Sequence, residues 1–263
     1  MTAPTPSLAA LLSLLVPGSA HILLGRPLRA AAALLTGVGL FVLGWWMLGD
    51  RLFAHHLIRP WGIYLLLPEQ CSVGVAALAQ LLMGSDTPEN LRLMTMPRPG
   101  EHLWSFLTGA SGVLACIWAG DAWHLAGGTF RAGRVLPGTA ALVSWVVPGA
   151  GHWLLGQRDR ALLMGGATLL LFVLGLAFAQ GHAVDRVHAS AWWIGQVLCG
   201  LPAALAGVLL GPREFAALPH FYDLGLMLAT VAGFLNVVVM VHAFTLAEDL
   251  GARAPEPAPE AAA

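Results

Sequence analysis

The sequence predicts an all-α, polytopic helical membrane protein. About eight transmembrane helices are expected, as two tandem four-helix repeats, with the first helix of each repeat broken at a Pro-Gly step. Three observations carry this. The chain is 57% hydrophobic and only 10% charged, whereas soluble domains carry about 25% charged residues. Its apolar runs repeatedly reach the ~20 residues needed to cross a bilayer. And residues 13–31 (SLLVPGSAHILLGRPLRAA) recur as residues 144–162 (SWVVPGAGHWLLGQRDRAL), 131 positions on, with ten of nineteen residues identical and no gap. Phe41-Val42-Leu43-Gly44 meets Phe172-Val173-Leu174-Gly175 in the same register.

The elements follow in order. Residues 1–7 are a short polar lead. A first helix is expected over about 8–25, interrupted at Pro17-Gly18, because Pro lacks a backbone donor and Gly admits unusual dihedrals. The small-residue stretch Gly18-Ser19-Ala20 imitates a signal-peptide cleavage site. No basic residue precedes it, and the motif recurs at 144–162, so the segment is read as retained structure. Gly25-Arg26-Pro27 is a tight turn, with Pro suited to open the next helix, which runs to about Leu48 with Trp45-Trp46 suited to a bilayer interface. A polar loop leads to a third helix over about 61–83, containing Pro68-Glu69-Gln70. A proline-rich segment, 85–101, leads to a fourth helix over about 102–125.

These residues form a first membrane repeat, 1–128. A linker spans 129–137, and the second repeat, 138–250, follows the same plan: a broken helix to Gly156, then helices over about 160–179, 191–210 and 222–246. Residues 251–263 are a Pro/Ala/Glu tail expected to be disordered. Later parts of the units match less closely. Ala77-Leu78-Ala79 meets Ala204-Leu205-Ala206, and Gly112, Leu114 and Ala122 meet Gly233, Leu235 and Ala243. Four crossings per unit give both units one orientation; if the first helix only dips in and returns, the same counting gives three crossings and inverted units. The thirteen Arg residues divide seven to six across the membrane either way, so they select no orientation.

The pattern Pro-Gly-x-x-His-x-Leu-Leu-Gly followed by x-x-x-Arg-Ala resembles the two-transmembrane-helix ("TM-two") hairpin domains. The matching residues are Gly18, His21, Leu24 and Gly25, then Gly149, Gly151, His152, Trp153, Leu155 and Gly156. The likeness covers about 35 residues of each unit. It lacks the Asp-Arg-Phe-type step of that family, since Ile22 and Trp153 follow the histidines directly. It implies a membrane hairpin and no particular chemistry.

Composition excludes some functions. The net charge is −1, Lys is absent and no basic patch exists, so nucleic acid is not an expected partner. Cys71, Cys116 and Cys199 stand singly in apolar runs, with no metal or disulfide spacing. Phosphate-loop, H-E-x-x-H and G-x-S-x-G motifs are absent, and no segment outside the predicted helices could hold an active site. The expectation is a non-enzymatic membrane scaffold or accessory subunit of a bacterial-type inner membrane, needing no cofactor. Its partners would be the lipid bilayer and other membrane subunits. A small-solute or proton-coupled carrier is the alternative, and a haem- or quinol-linked redox protein the second alternative.

The candidate functional residues are polar chains at membrane depth. His21 and His152 lie beside the helix breaks Pro17-Gly18 and Pro148-Gly149, where an imidazole can cap freed carbonyls, bind a ligand or pass a proton. Arg29 and Arg160 are expected to reach toward headgroups. Glu69 is the only carboxylate near the middle of a predicted span. Asn236 is expected to bond across helices. Asp121, His124 and His242 fall near helix ends and are expected at the interface. A four-histidine metal site from His55, His56, His182 and His188 is conceivable, although the spacings in the two loops differ.

Overall fold

The computed structural model describes residues 4–49, 69, 74, 75, 78, 100–127, 135–184, 189–210 and 219–252. Among the described residues all regular structure is helical. The elements are α1 (Pro6–Leu15), α2 (Ser19–Leu23), α3 (Pro27–Leu48), α4 (Glu101–Gly127), α5 (Pro137–Val146), α6 (Ala150–Leu154), α7 (Arg158–Phe178), α8 (Ser190–Val197), α9 (Leu201–Leu210) and α10 (Tyr222–Ala252). Four of them, α3, α4, α7 and α10, are long and apolar enough to cross a membrane. Most of the expected third helix, 61–83, and the polar segment 85–99 lie outside the described residues.

The two copies of the motif take one backbone conformation. α1 stops at Val16 (φ −140°, ψ 108°) and α5 at Val147 (φ −130°, ψ 109°). Gly18 (φ 93°) and Gly149 (φ 85°) then occupy the left-handed region and start α2 and α6. The Leu-Leu-Gly step ends each short helix as a Schellman cap. Arg26 N donates to His21 O (2.8 Å) and Gly25 N to Ile22 O (3.0 Å); Gln157 N and Gly156 N donate likewise to His152 O and Trp153 O. The motif therefore encodes a stop, a single short helix and a second stop.

The short helix does not continue the first one; it turns back over it. Ser19 Oγ donates to Leu12 O (2.7 Å) and Gly151 N to Ser144 Oγ (3.1 Å). A β-carbon on Gly151 would collide with the Ala140 carbonyl, eleven residues earlier. A straight helix separates such residues by about 16 Å. The expected long broken helix is thus a helical hairpin whose ten-residue first arm, about 15 Å long, reaches half the thickness of a hydrocarbon core.

The third segment of the second half also doubles back. α8 runs parallel to α10, with Thr230 Oγ1 donating to Trp192 O (2.9 Å) and Asn236 Nδ2 to Leu198 O (2.9 Å). The chain turns at Gly200 (φ 74°), and α9 brings Gly207 back to Val184 and His102. The two hairpins meet at their tips. Trp145 Nε1 donates to Val197 O (3.3 Å), and the Trp145 carbonyl abuts Gly200 so closely that no side chain fits there. In the first half the Leu15 carbonyl abuts Gly74 in the same way.

The long helices pack through glycine and alanine. α7 and α10 run antiparallel, with Gly175 against Ala229 and Gly225 against Ala179. α3 and α4 do the same through Gly44 and Thr108, extended by Trp118 Nε1 donating to Thr36 Oγ1 (2.9 Å). α4 and α10 are parallel, joined by His124 and Glu248 (2.9 Å) and separated lower down by a cavity of about 420 Å³.

Candidate functional site

Each motif histidine reaches one of the long helices. His21 is fully buried on α2, and its Nε2 donates to Asp121 Oδ2 on α4 (3.1 Å). Arg29 Nη1, in the first turn of α3, donates to both oxygens of the same carboxylate (3.1 and 3.0 Å). The Trp118 ring stands edge-on to His21. In the second half His152, fully buried on α6, has its Nε2 2.7 Å from His242 Nδ1 on α10, with ring planes 11° apart. Arg160, the counterpart of Arg29, lies within electrostatic reach of His152.

Asp121 and His242 occupy equivalent positions, since Ala122 follows the one and Ala243 the other in the weaker part of the repeat. One architecture therefore carries two chemistries: imidazole on a carboxylate clamped by guanidinium, and imidazole on imidazole.

Hydrogen bonding fixes the tautomers. A carboxylate only accepts, so His21 Nε2 carries hydrogen. His21 Nδ1 and His152 Nδ1 are buried with no partner. A buried N–H without an acceptor is rarer than an unpaired acceptor, so both rings are assigned the tautomer with hydrogen on Nε2. His152 Nε2–H is then the donor and His242 Nδ1 the acceptor.

This geometry corrects one expectation and extends others. The histidines do not cap the carbonyls freed at the breaks, because each turns its Nε2 to a long helix; Ser19 instead adds a second hydrogen bond to the Leu12 carbonyl, which already accepts from Val16 N. Arg29, expected to reach toward headgroups, is also paired with Asp121 and keeps 30% of its side chain exposed. Asp121 and His242, expected near helix ends, are in addition the partners of the motif histidines. Their equivalence was visible in the sequence; what hid the pairing was the folding-back of the hairpins.

Glu69 is buried, and its Oε1 accepts from Thr108 Oγ1 (2.8 Å). Thr108 has one hydroxyl hydrogen and a second acceptor, Ser105 O, at 2.9 Å. Thr108 and Asp121 are thirteen residues apart on α4, about 20 Å along its axis, so Glu69 and His21 belong to separate sites. Asn236 bonds to the α8 tip across helices, as expected. His55, His56 and His188 lie outside the described residues. His182 is described, and among the described residues no group of three or more metal-ligating chains forms.

Sequence reasoning missed Gln196, which aligns with Glu69 when Ala77-Leu78-Ala79 is laid on Ala204-Leu205-Ala206. It is fully buried, with neither amide atom partnered. Such an amide forfeits its hydration without compensation. Gln196→Leu is expected to leave the thermal unfolding midpoint in detergent unchanged or raise it, by up to about 1–2 kcal/mol; a fall of the midpoint would show that the amide has a partner.

The 420 Å³ cavity between α4 and α10 is lined by hydrocarbon, with Val113, Ile117, Val237, Met240 and Phe244 in its wall. A smaller cavity of about 240 Å³ touches Arg29, Asp121, Trp118 and Thr139.

No curated protein and no solved structure matches this chain. The model of one family, described as a family of unknown function (DUF6677), matches residues 8–129 and again residues 139–254, and the chain belongs to that family.

Proposed function

We propose that this is a multi-pass membrane protein of two tandem units in one orientation, acting as a proton-coupled carrier of a small apolar or amphipathic solute. Each unit contributes two crossing helices and a re-entrant hairpin at its start, and the second unit adds the α8–α9 hairpin, entering from the opposite side. This replaces the four crossings per unit expected from hydropathy and keeps an even number, in accord with the parallel run of α4 and α10. A bacterial inner membrane is the proposed location.

The observation that carries the reading is the tie between hairpin and crossing helix. In both halves it joins a fully buried histidine to a half-buried ionisable partner, His21 to Asp121 and His152 to His242. Ionisable groups at membrane depth are costly and mark ion or proton pathways. Interrupted helices are the usual carriers of transport sites, because backbone free of regular pairing is tolerated in a membrane only inside protein. The 420 Å³ cavity has the size of a ligand pocket.

The tight glycine packing of α7 on α10 favours a second reading, a rigid non-enzymatic scaffold for other membrane subunits. The haem- or quinol-linked alternative has no specific observation in its favour, since His21 and His152 each turn Nε2 to a partner within the chain. Reconstitution into liposomes with a pH dye inside separates the first two. A carrier collapses an imposed pH gradient faster than protein-free liposomes do; a scaffold does not. Glu69→Gln is expected to remain folded and to slow that flux at least tenfold, and undiminished flux in this variant removes Glu69 from the mechanism.

A further inference from the structure

We infer that the His152–His242 pair is the proton relay of the molecule, and that His21–Asp121–Arg29 is its immobilised counterpart. The inference rests on the proton-coupled reading and names the half that serves it. In the N–H···N bond both atoms are imidazole nitrogens 2.7 Å apart, so the bridging proton can change owner without a change of chemical group. In the first half the acceptor is a carboxylate held by both Arg29 contacts, and a proton taken there must displace the guanidinium.

The relay balances. A proton arrives at the bare, buried Nδ1 of His152. The bridging proton passes from His152 Nε2 to His242 Nδ1 across the 2.7 Å contact. The proton on His242 Nε2 then leaves. One proton enters and one departs, with no other bond changed. The product holds an N–H on His152 Nδ1 that has no acceptor, so it is the less stable tautomer. Resetting it requires the rings to turn over, and each turn breaks the 2.7 Å contact between α6 and α10. The other titratable groups on the elements around the pair are few. α5 has none. The first turn of α7 has Arg158, Asp159 and Arg160. The last turns of α10 have Asp249 and Glu248, the latter bonded to His124 of α4.

The test uses full-length protein in liposomes, with proton influx read by an internal dye. His242→Asp rebuilds the first-half arrangement and keeps an acceptor for His152; His242→Gln removes the base. Both are expected to unfold within a few degrees of wild type and to lower proton influx at least tenfold. In ¹⁵N-histidine NMR of the wild type, His152 Nδ1 is expected bare and the bridging hydrogen coupled to both His152 Nε2 and His242 Nδ1. Wild-type influx that persists in folded His242→Asp overturns the relay while leaving the carrier reading standing. Influx of the wild type no faster than in protein-free liposomes overturns the carrier reading and the relay with it. A protonated His152 Nδ1 in the resting wild type overturns the relay whatever the flux.

Discussion

Asp121→Ala is expected to destabilise the protein by on the order of 3 kcal/mol, measured as a loss of thermal midpoint in detergent and of monodisperse yield. The carboxylate has three bonds to lose, one to His21 and two to Arg29. Alanine leaves a buried imidazole N–H and a guanidinium facing an empty position. Removing one member of a fully buried ion pair costs about 3–5 kcal/mol. Partial exposure, 16% for Asp121 and 30% for Arg29, places this case toward the lower end because solvent screens the charges. The informative companion is Asp121→His, which writes the second-half pairing into the first. His21 keeps an acceptor, and Arg29 then faces an imidazole in place of a carboxylate. Recovery of more than half of the loss is expected. If Asp121→His is as damaging as Asp121→Ala, the two halves are not interchangeable at this position, and the comparison drawn between the pairs fails.

The local features of the motif were legible in the sequence for identifiable reasons. Pro17-Gly18 and Pro148-Gly149 had to interrupt a helix, because a missing donor and a left-handed residue are properties of the residues themselves. Gly25 and Gly156 close the short helices by the same logic. The direction taken after the break was not legible. Hydropathy scores a segment that enters and returns much as it scores one that crosses. Nothing in residues 8–25 states that Ala20 packs beside Ala9 or that Gly151 abuts Ala140. The site suffered the same ambiguity. His21, His152 and Glu69 stood out because polar groups are conspicuous among apolar ones. Their partners Asp121, His242 and Thr108 lie 39 to 100 residues away in sequence and looked like ordinary helix-end or core residues. Gln196 escaped notice because an uncharged amide does not announce itself.

Gly149→Ala and Gly156→Ala form the second test, in which one substitution is made twice at nearly one backbone conformation. The φ values are 85° and 79°, so the left-handed penalty for an L-residue, about 1–2 kcal/mol, is common to both. Space is not. A β-carbon on Gly156 meets nothing within 4 Å, whereas one on Gly149 falls 2.5 Å from the Ala161 carbonyl oxygen and 3.0 Å from Gly165 Cα. Both obstacles are backbone of α7, so no rotamer change relieves them, and overpacking adds about 1–3 kcal/mol. Gly149→Ala is therefore expected to unfold earlier than Gly156→Ala by about 2 kcal/mol. Gly18→Ala should fall between them. The Ala30 oxygen, 2.6 Å away, is equally fixed there, but its other neighbour is the Leu34 side chain, which can yield. Equal losses at 149 and 156 would mean that the tip of the α5–α6 hairpin does not sit against α7. The His152–His242 pair could then not be held at bonding distance by this fold, since the seating of that tip is what presents His152 to α10.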